Sequence, residues 1–188
     1  PLTIEGGSSG EKVSVFGIYR SQVVGDERVL DIAEDYILEE QQGDTLFVTL
    51  KGLPERNHPF GSFTEMNATM VVPTDIQLEV TGNYQSLTLK PRRLENDWSV
   101  STASDVFVQL SDQADVILSA ENVDHIEGEG ERWTWIEEKE TDTGSNSEND
   151  VASAHEYVRE PTGFLQVGEG THQLSISNVN QLSVSVAN

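Results

Sequence analysis

Hydrophobic and polar residues alternate along most of the chain in short runs. Successive side chains of a β-strand point to opposite faces, so each run presents one apolar face. The runs are Val13 and Val15; Leu46, Val48 and Leu50; Met66, Ala68, Met70 and Val72; Ile76, Leu78 and Val80; Leu87 and Leu89; Trp98 and Val100; Val106, Val108 and Leu110; Val116 and Leu118; Leu174 and Ile176; and Leu182, Val184 and Val186. Turn-forming residues such as Asn122 and Asn178 separate them. Many short strands between regular turns predict an all-β fold.

Residues 28–40 fit two patterns. Val29, Ile32 and Ala33 recur at helical spacing among glutamates, whereas Leu30 and Ile32 begin an alternation typical of a strand. We expect a strand, because strands are predicted on both sides.

From residue 76 onward, paired short strands recur almost as a repeat. Leu78 and Val100 are 22 residues apart, and Val100 and Leu118 are 18 apart. Two short strands per turn of about 20 residues are typical of a single-chain β-solenoid, in which stacked rungs share one core. The alternative is an antiparallel β-sandwich.

The chain divides into four parts of a single all-β domain. N-terminal strands occupy residues 1–72, and the stacked short-strand repeats occupy 73–136. A polar, acidic loop follows at 137–155, where apolar periodicity stops. We expect the C-terminal strands, at 156–188, to complete the stack and cap it.

Composition restricts the partners. The chain has 11 Lys and Arg against 33 Asp and Glu, a formal net charge of −22. Nucleic acids and anionic membrane surfaces would repel such a chain, whereas cations, basic proteins and neutral glycans remain open. There is no cysteine, which excludes thiol nucleophiles and Cys-ligated metal sites. The sequence also lacks the nucleophile-elbow, phosphate-loop and dinucleotide-binding motifs. We therefore expect that the protein is not an enzyme.

Three stretches carry a family resemblance. They are Gly-Asp-Thr-Leu-Phe-Val-Thr-Leu at 43–50, Val-Val-Pro-Thr-Asp-Ile-Gln-Leu-Glu-Val at 71–80, and Gly-Glu-Gly-Thr-His-Gln-Leu-Ser-Ile-Ser-Asn-Val-Asn at 168–180. With the short strands between them, they resemble the bacterial adhesin-type β-solenoid domains, also called toast-rack domains. The Ser-Gly-Asp repeats usual at their rung corners are absent. The resemblance implies a stacked architecture and an exported location, and it carries over no catalytic residue.

The location expected is extracytoplasmic, at the cell surface or envelope. The chain begins at Pro1, and no run of apolar residues approaches the roughly 20 needed to cross a bilayer. We therefore expect a fragment or processed chain, with any membrane anchor in a segment outside it.

Trp133 and Trp135 are the first candidate site. Residues two apart on a strand share a face, and paired exposed aromatic rings can bind sugars or a protein partner. The competing interpretation is that this face packs into the core or covers one end of the solenoid.

The acidic loop is the second candidate. Asp142, Asn146, Glu148 and Asp150 supply oxygen ligands that suit calcium, the only cofactor that the sequence suggests. Their spacing does not follow the EF-hand pattern, and the alternative is a solvated loop.

Two further sets of residues are weaker candidates. Glu127, Glu129 and Glu131 alternate and would share a strand face, where like charges either repel or collect a cation. The histidines lack zinc-site spacing, which indicates scattered loop or surface residues: His58, His125, His155 and His172.

Together these features predict a non-catalytic, adhesin-like domain that binds a protein or a cell-wall polymer. Two alternatives remain: a carbohydrate-binding module that uses the two tryptophans, and a structural spacer that associates with copies of itself.

Overall fold

Most residues of the alternating runs lie in strands, as expected, although Val13 and Ile76 lie just outside them. The computed structural model describes residues 1–23, 26–31, 37–50, 62–82, 84–101, 103–129, 132–136 and 162–187. The strands are β1 Leu2–Gly7, β2 Ser14–Val23, β3 Asp26–Asp31, β4 Ile37–Gln42, β5 Thr45–Leu50, β6 Ser62–Pro73, β7 Leu78–Thr81, β8 Ser86–Lys90, β9 Trp98–Ser101, β10 Asp105–Ser111, β11 Val116–Glu127, β12 Trp133–Ile136, β13 Thr162–Val167 and β14 His172–Ala187. These residues include no α-helix, and the all-β prediction is confirmed.

Residues 28–40 form strands wherever they are described. β3 ends at Asp31 and β4 begins at Ile37, while residues 32–36 lie outside the described part. The strand interpretation therefore holds for β3 and β4. No helix among the described residues is long and apolar enough to span a membrane.

Twelve strands form one mixed sheet, and β4 and β5 form a separate antiparallel hairpin. The pairings fall into two columns of strands. The long column runs in the order β3, β2, β6, β1, β8, β10, residues 181–187 of β14 and residues 125–127 of β11. The short column runs in the order β7, β9, residues 172–177 of β14, residues 116–121 of β11, β13 and β12. In the long column, all neighbouring strands from β6 through to β11 pair in parallel. In the short column, all neighbouring strands from β7 through to β11 do so as well.

The parallel register places apolar residues in rows that line the core. In the long column, Leu2, Leu87, Val106 and Leu182 lie side by side. In the short column, Leu78, Trp98, Leu174 and Leu118 do the same. All are buried except Leu78, which is partly buried against the core. Each fully buried side chain of this kind contributes about 1.5–3 kcal/mol relative to an exposed one.

The position of β14 differs from the expectation for the C-terminal strands. β14 lies inside the sheet, between β9 and β10 on one side and β11 on the other, and so it does not cap the stack. Val100 consequently pairs with Ile176, and the 18-residue spacing from Val100 to Leu118 does not relate neighbouring strands. β9, β10 and β11 each pair with β14 so that apolar residues lie beside apolar residues. Alternation alone therefore does not decide which of these strands are adjacent.

The two longest of these strands pass from one column to the other at an asparagine. Asn122 in β11 and Asn178 in β14 have φ of 51° and 54°. Asparagine tolerates this left-handed conformation better than most residues. Val116–Ala120 and Val123–Ile126 are thus two arms of one bent strand.

Candidate functional site

Trp133 and Trp135 lie on β12, at one end of the short column. They share a face, as expected, and their rings stack with centroids 5.6 Å apart and an interplanar angle of 20°. Only 7% of Trp133 is exposed, against 44% of Trp135. The pair is therefore divided between core packing and surface exposure.

Gly163 on β13 makes room for both rings. A Cβ atom at this position would lie 2.6 Å from Cζ3 of Trp135 and 3.2 Å from Cε3 of Trp133. The indole Nε1 of Trp133 donates a hydrogen bond of 3.2 Å to the carbonyl of Gly128, where β11 ends. Trp133 thus covers the end of the core, and Trp135 offers a partly exposed ring beside it.

The predicted calcium ligands Asp142, Asn146, Glu148 and Asp150 lie outside the described residues. His58, His155 and Glu131 lie outside them as well. Within the described ranges, no group of three or more His, Asp or Glu side chains is placed to hold a metal ion. The calcium site stays a prediction.

The remaining acidic candidates are held by different partners. Glu127 Oε1 lies 3.1 Å from Nε2 of His125 on the same exposed face. Glu129 Oε1 instead accepts a hydrogen bond of 3.1 Å from the backbone N–H of Val186, and its Oε2 lies 3.2 Å from Nη1 of Arg132. The alternation therefore does not bring Glu127 and Glu129 together as one ligand set.

Two aspartates bind the backbone of the neighbouring strand where strands of the short column begin. Asp115 accepts hydrogen bonds from the N–H groups of Gly170 (2.7 Å) and Thr171 (3.2 Å) and from the Thr171 hydroxyl (2.7 Å). The hydroxyl bond, followed by the backbone bonds, holds the pKa of Asp115 below its usual value. Asp97 Oδ1 similarly accepts a bond of 2.8 Å from the N–H of Gln173. These two acidic side chains therefore hold neighbouring strands together.

His172 lies beside the second of these aspartates. Its Nδ1 is 3.9 Å from Oδ1 of Asp97. This contact lies where the strands of the short column begin. Within the described part of the chain, it does not complete a group of three side chains that could hold a metal ion.

Sequence reasoning missed a surface on the outer side of the long column. In its central row, the register places Phe16, Thr69, Thr3, Thr88 and Phe107 side by side on five neighbouring strands. We call this row and its flanking outward residues the threonine face. Phe16 is 55% exposed and Phe107 is 37% exposed.

The described side chains that flank this row carry little net charge. Ile18 is exposed beside Phe16. Glu5 and Lys90, on neighbouring strands, form an ion pair of 3.3 Å. Asp105 is the remaining carboxylate among the described outward side chains between β2 and β10, and Ser104 donates a hydrogen bond of 3.4 Å to it.

One sequence signal pointed toward this face. Phe107 stands between Val106 and Val108, so an apolar residue occupies a position where the alternation calls for a polar one. The threonines gave no signal, because threonine is common at outward positions of strands. Only the pairing register shows that these residues form one row.

The chain matches no family model and no curated protein. A solved structure that it resembles is the crystal structure of a "putative cell adhesion protein" from Clostridium sporogenes, at 10% sequence identity and a TM-score of 0.47. The alignment covers 99% of this chain and 87% of that one.

Proposed function

We propose that this protein is an extracytoplasmic, adhesin-like β-solenoid domain that acts by binding and not by catalysis. The observation that carries this proposal is the threonine face, on which Phe16, Ile18 and Phe107 are exposed on one ordered sheet surface. Exposed apolar side chains on such a surface, set among polar ones, favour contact with a macromolecule.

Parallel stacking supports the solenoid architecture. The units β7–β8 and β9–β10 each place one strand in the short column and the next in the long column. β11 and β14 span both columns, with a bend at Asn122 and at Asn178. Each of these four units is one rung, and neighbouring rungs bury their inner rows against each other.

Charge supports the choice of partner. A net charge of −22 disfavours nucleic acids and anionic lipid surfaces, which leaves proteins and uncharged or basic polymers. The partner is therefore a protein or a wall polymer. The exported location rests on the sequence resemblance and on composition.

Two experiments test this proposal. The first is fractionation of cells that express the complete gene product, in which the protein should be found in the envelope or medium. The second is co-sedimentation of the purified chain with bacterial cell walls, with and without calcium, in which the chain should sediment. The proposal would be contradicted if the complete gene product stayed in the cytosol and the purified chain sedimented under neither condition. Sedimentation that requires calcium would support a site in the loop at 137–155.

A second candidate function is carbohydrate binding at the tryptophan pair. The exposed ring of Trp135, stacked on Trp133, favours it. Trp135→Ala should then abolish glycan-induced changes in tryptophan fluorescence. Phe47→Ala, on the separate hairpin and also exposed, is the matched control. Trp133→Ala is unsuitable because Trp133 is part of the core.

A further inference from the structure

We propose that the threonine face binds a linear, neutral polysaccharide that runs across the strands of the long column. This inference rests on the proposed function and assigns it a ligand class and a site. The site is separate from the tryptophan pair, which lies on β12 at the end of the short column.

The two phenylalanines set the length of the ligand. Phe16 on β2 and Phe107 on β10 are four strand spacings apart, which corresponds to about 19 Å. An exposed aromatic ring offers a flat apolar surface to the C–H face of a sugar. One sugar ring is much shorter than the distance between Phe16 and Phe107. A ligand that contacts both must therefore be an oligosaccharide or a polymer.

The hydroxyl groups between the rings favour a ligand that repeats. Thr69, Thr3 and Thr88 stand on three successive strands, spaced about 4.8 Å apart. Each hydroxyl can both donate and accept a hydrogen bond, as sugar hydroxyls also do. Within the described part of the chain, none of the three hydroxyls forms a hydrogen bond.

The serine row on the short column differs in this respect. There, Ser119 Oγ donates to Ser175 Oγ at 3.2 Å, and Ser99 Oγ donates to the carbonyl of Leu78 at 3.4 Å. These hydroxyls already have partners in the protein. The threonine face is therefore the better candidate for binding sugar hydroxyls.

Charge favours a neutral polymer over a charged one. Glu5 and Lys90 neutralise each other on this face, which leaves Asp105 as the uncompensated charge among its described side chains. The chain as a whole carries −22 and repels polyanions. A basic protein would meet one uncompensated carboxylate among the described side chains of this face and would gain little from charge. A face with little charge suits an uncharged ligand.

The test uses the purified chain with insoluble neutral polysaccharides, namely cellulose, chitin, starch and a β-1,3-glucan. At least one should retain the protein, and binding should change little with salt because no ion pairs form. Soluble oligosaccharides of the same polymer should compete better as they lengthen, while the monosaccharide should not compete.

Variants locate the site. Phe16→Ala and Phe107→Ala should each weaken binding about tenfold, since each removes one ring contact. Thr3→Val and Thr88→Val should weaken it less while keeping the shape of the side chain. Phe47→Ala and Thr49→Val, on the exposed hairpin, are the matched controls and should bind as the unmodified chain does. Thermal unfolding of each variant confirms that it is folded.

Three results would overturn the inference. The first is retained polysaccharide binding in the Phe16→Ala/Phe107→Ala double variant. The second is loss of binding only in Trp135→Ala, which would assign the glycan to the tryptophan pair. The third is sedimentation with cell walls that protease treatment of the walls abolishes, which would identify a protein partner and leave the proposed function intact. Failure to bind any of the four polysaccharides would likewise count against the inference, and failure to bind cell walls as well would count against both proposals.

Discussion

Asn122 Nδ2 donates a hydrogen bond of 3.2 Å to Asn178 Oδ1, and both residues have a left-handed backbone. They occupy equivalent positions on adjacent strands, where β11 and β14 pass between the two columns. The pair therefore joins two neighbouring bends, although the residues are far apart in sequence.

This pair predicts an order of stability among substitutions. Asn122→Ala should lower the free energy of unfolding by about 2 kcal/mol, because alanine is strained at positive φ and the hydrogen bond is lost. Asn122→Gly loses only the hydrogen bond and should cost about 1 kcal/mol. Urea denaturation measures both, and Asn178 should behave alike. Equal stabilities for the alanine and glycine variants would contradict the role of the backbone conformation.

Gly163→Ala should disturb the tryptophan pair. The added methyl group would meet the ring of Trp135 at 2.6 Å, so the ring must move. Overpacking of this kind costs about 1–3 kcal/mol, and the environment of Trp135 should change in the tryptophan emission spectrum. In a Trp135→Ala background, the same substitution should cost much less. An unchanged spectrum and melting temperature would show that the rings do not need the glycine.

The stabilising contribution of Asp115 should depend on pH. Hydrogen bonds from Thr171 and from neighbouring backbone N–H groups lower the pKa of the folded carboxylate. The stabilisation is therefore fully present above the usual carboxylate pKa, and it is lost as pH falls through the lowered value. Asp115→Asn should melt at a lower temperature than the unmodified chain at neutral pH, with a difference that shrinks in acid.

The control for this experiment is Asp112→Asn. Asp112 is exposed near Asp115 in sequence and forms no hydrogen bond through its side chain within the described part of the structure. At neutral pH, the Asp112→Asn variant should have a melting temperature close to that of the unmodified chain. A difference for Asp115→Asn that stays constant down to strongly acidic pH would contradict the linkage.

Leu182→Ala should be severely destabilising, because β14 lies in the interior of the sheet. Leu182 is fully buried, between Val106 of β10 and Ile126 of β11. Removing a buried leucine side chain costs about 2–5 kcal/mol. A leucine on a strand at the edge of the sheet, with a neighbouring strand on one side alone, would give a smaller loss because that site can relax more easily. A cost below about 1 kcal/mol would contradict the interior position of β14.

Much of the local structure was predictable from sequence. Alternation identified most of the strands and many of the residues that face the core, from Ala68 to Val184, because strand geometry imposes a period of two. It was wrong for Leu46 and Ile76, which were expected on apolar faces and are 44% and 39% exposed. The turn residues Asn122 and Asn178 marked the two bends. For the candidate site, the shared face of Trp133 and Trp135 was foreseen, but their unequal burial was not. That inequality depends on Gly163 in a strand distant in sequence.

The sequence by itself determined the strand class, the inward face of most strands and the acidity that restricts the partners. Tertiary structure decided which strands are neighbours, including the insertion of β14 beside β11 and the row that joins Phe16 to Phe107. The physical reason is that rows of Leu, Val and Ile pack against one another with little preference for a particular partner. Alternation thus specifies the face of a strand, whereas the order of strands depends on the summed packing of the whole sheet.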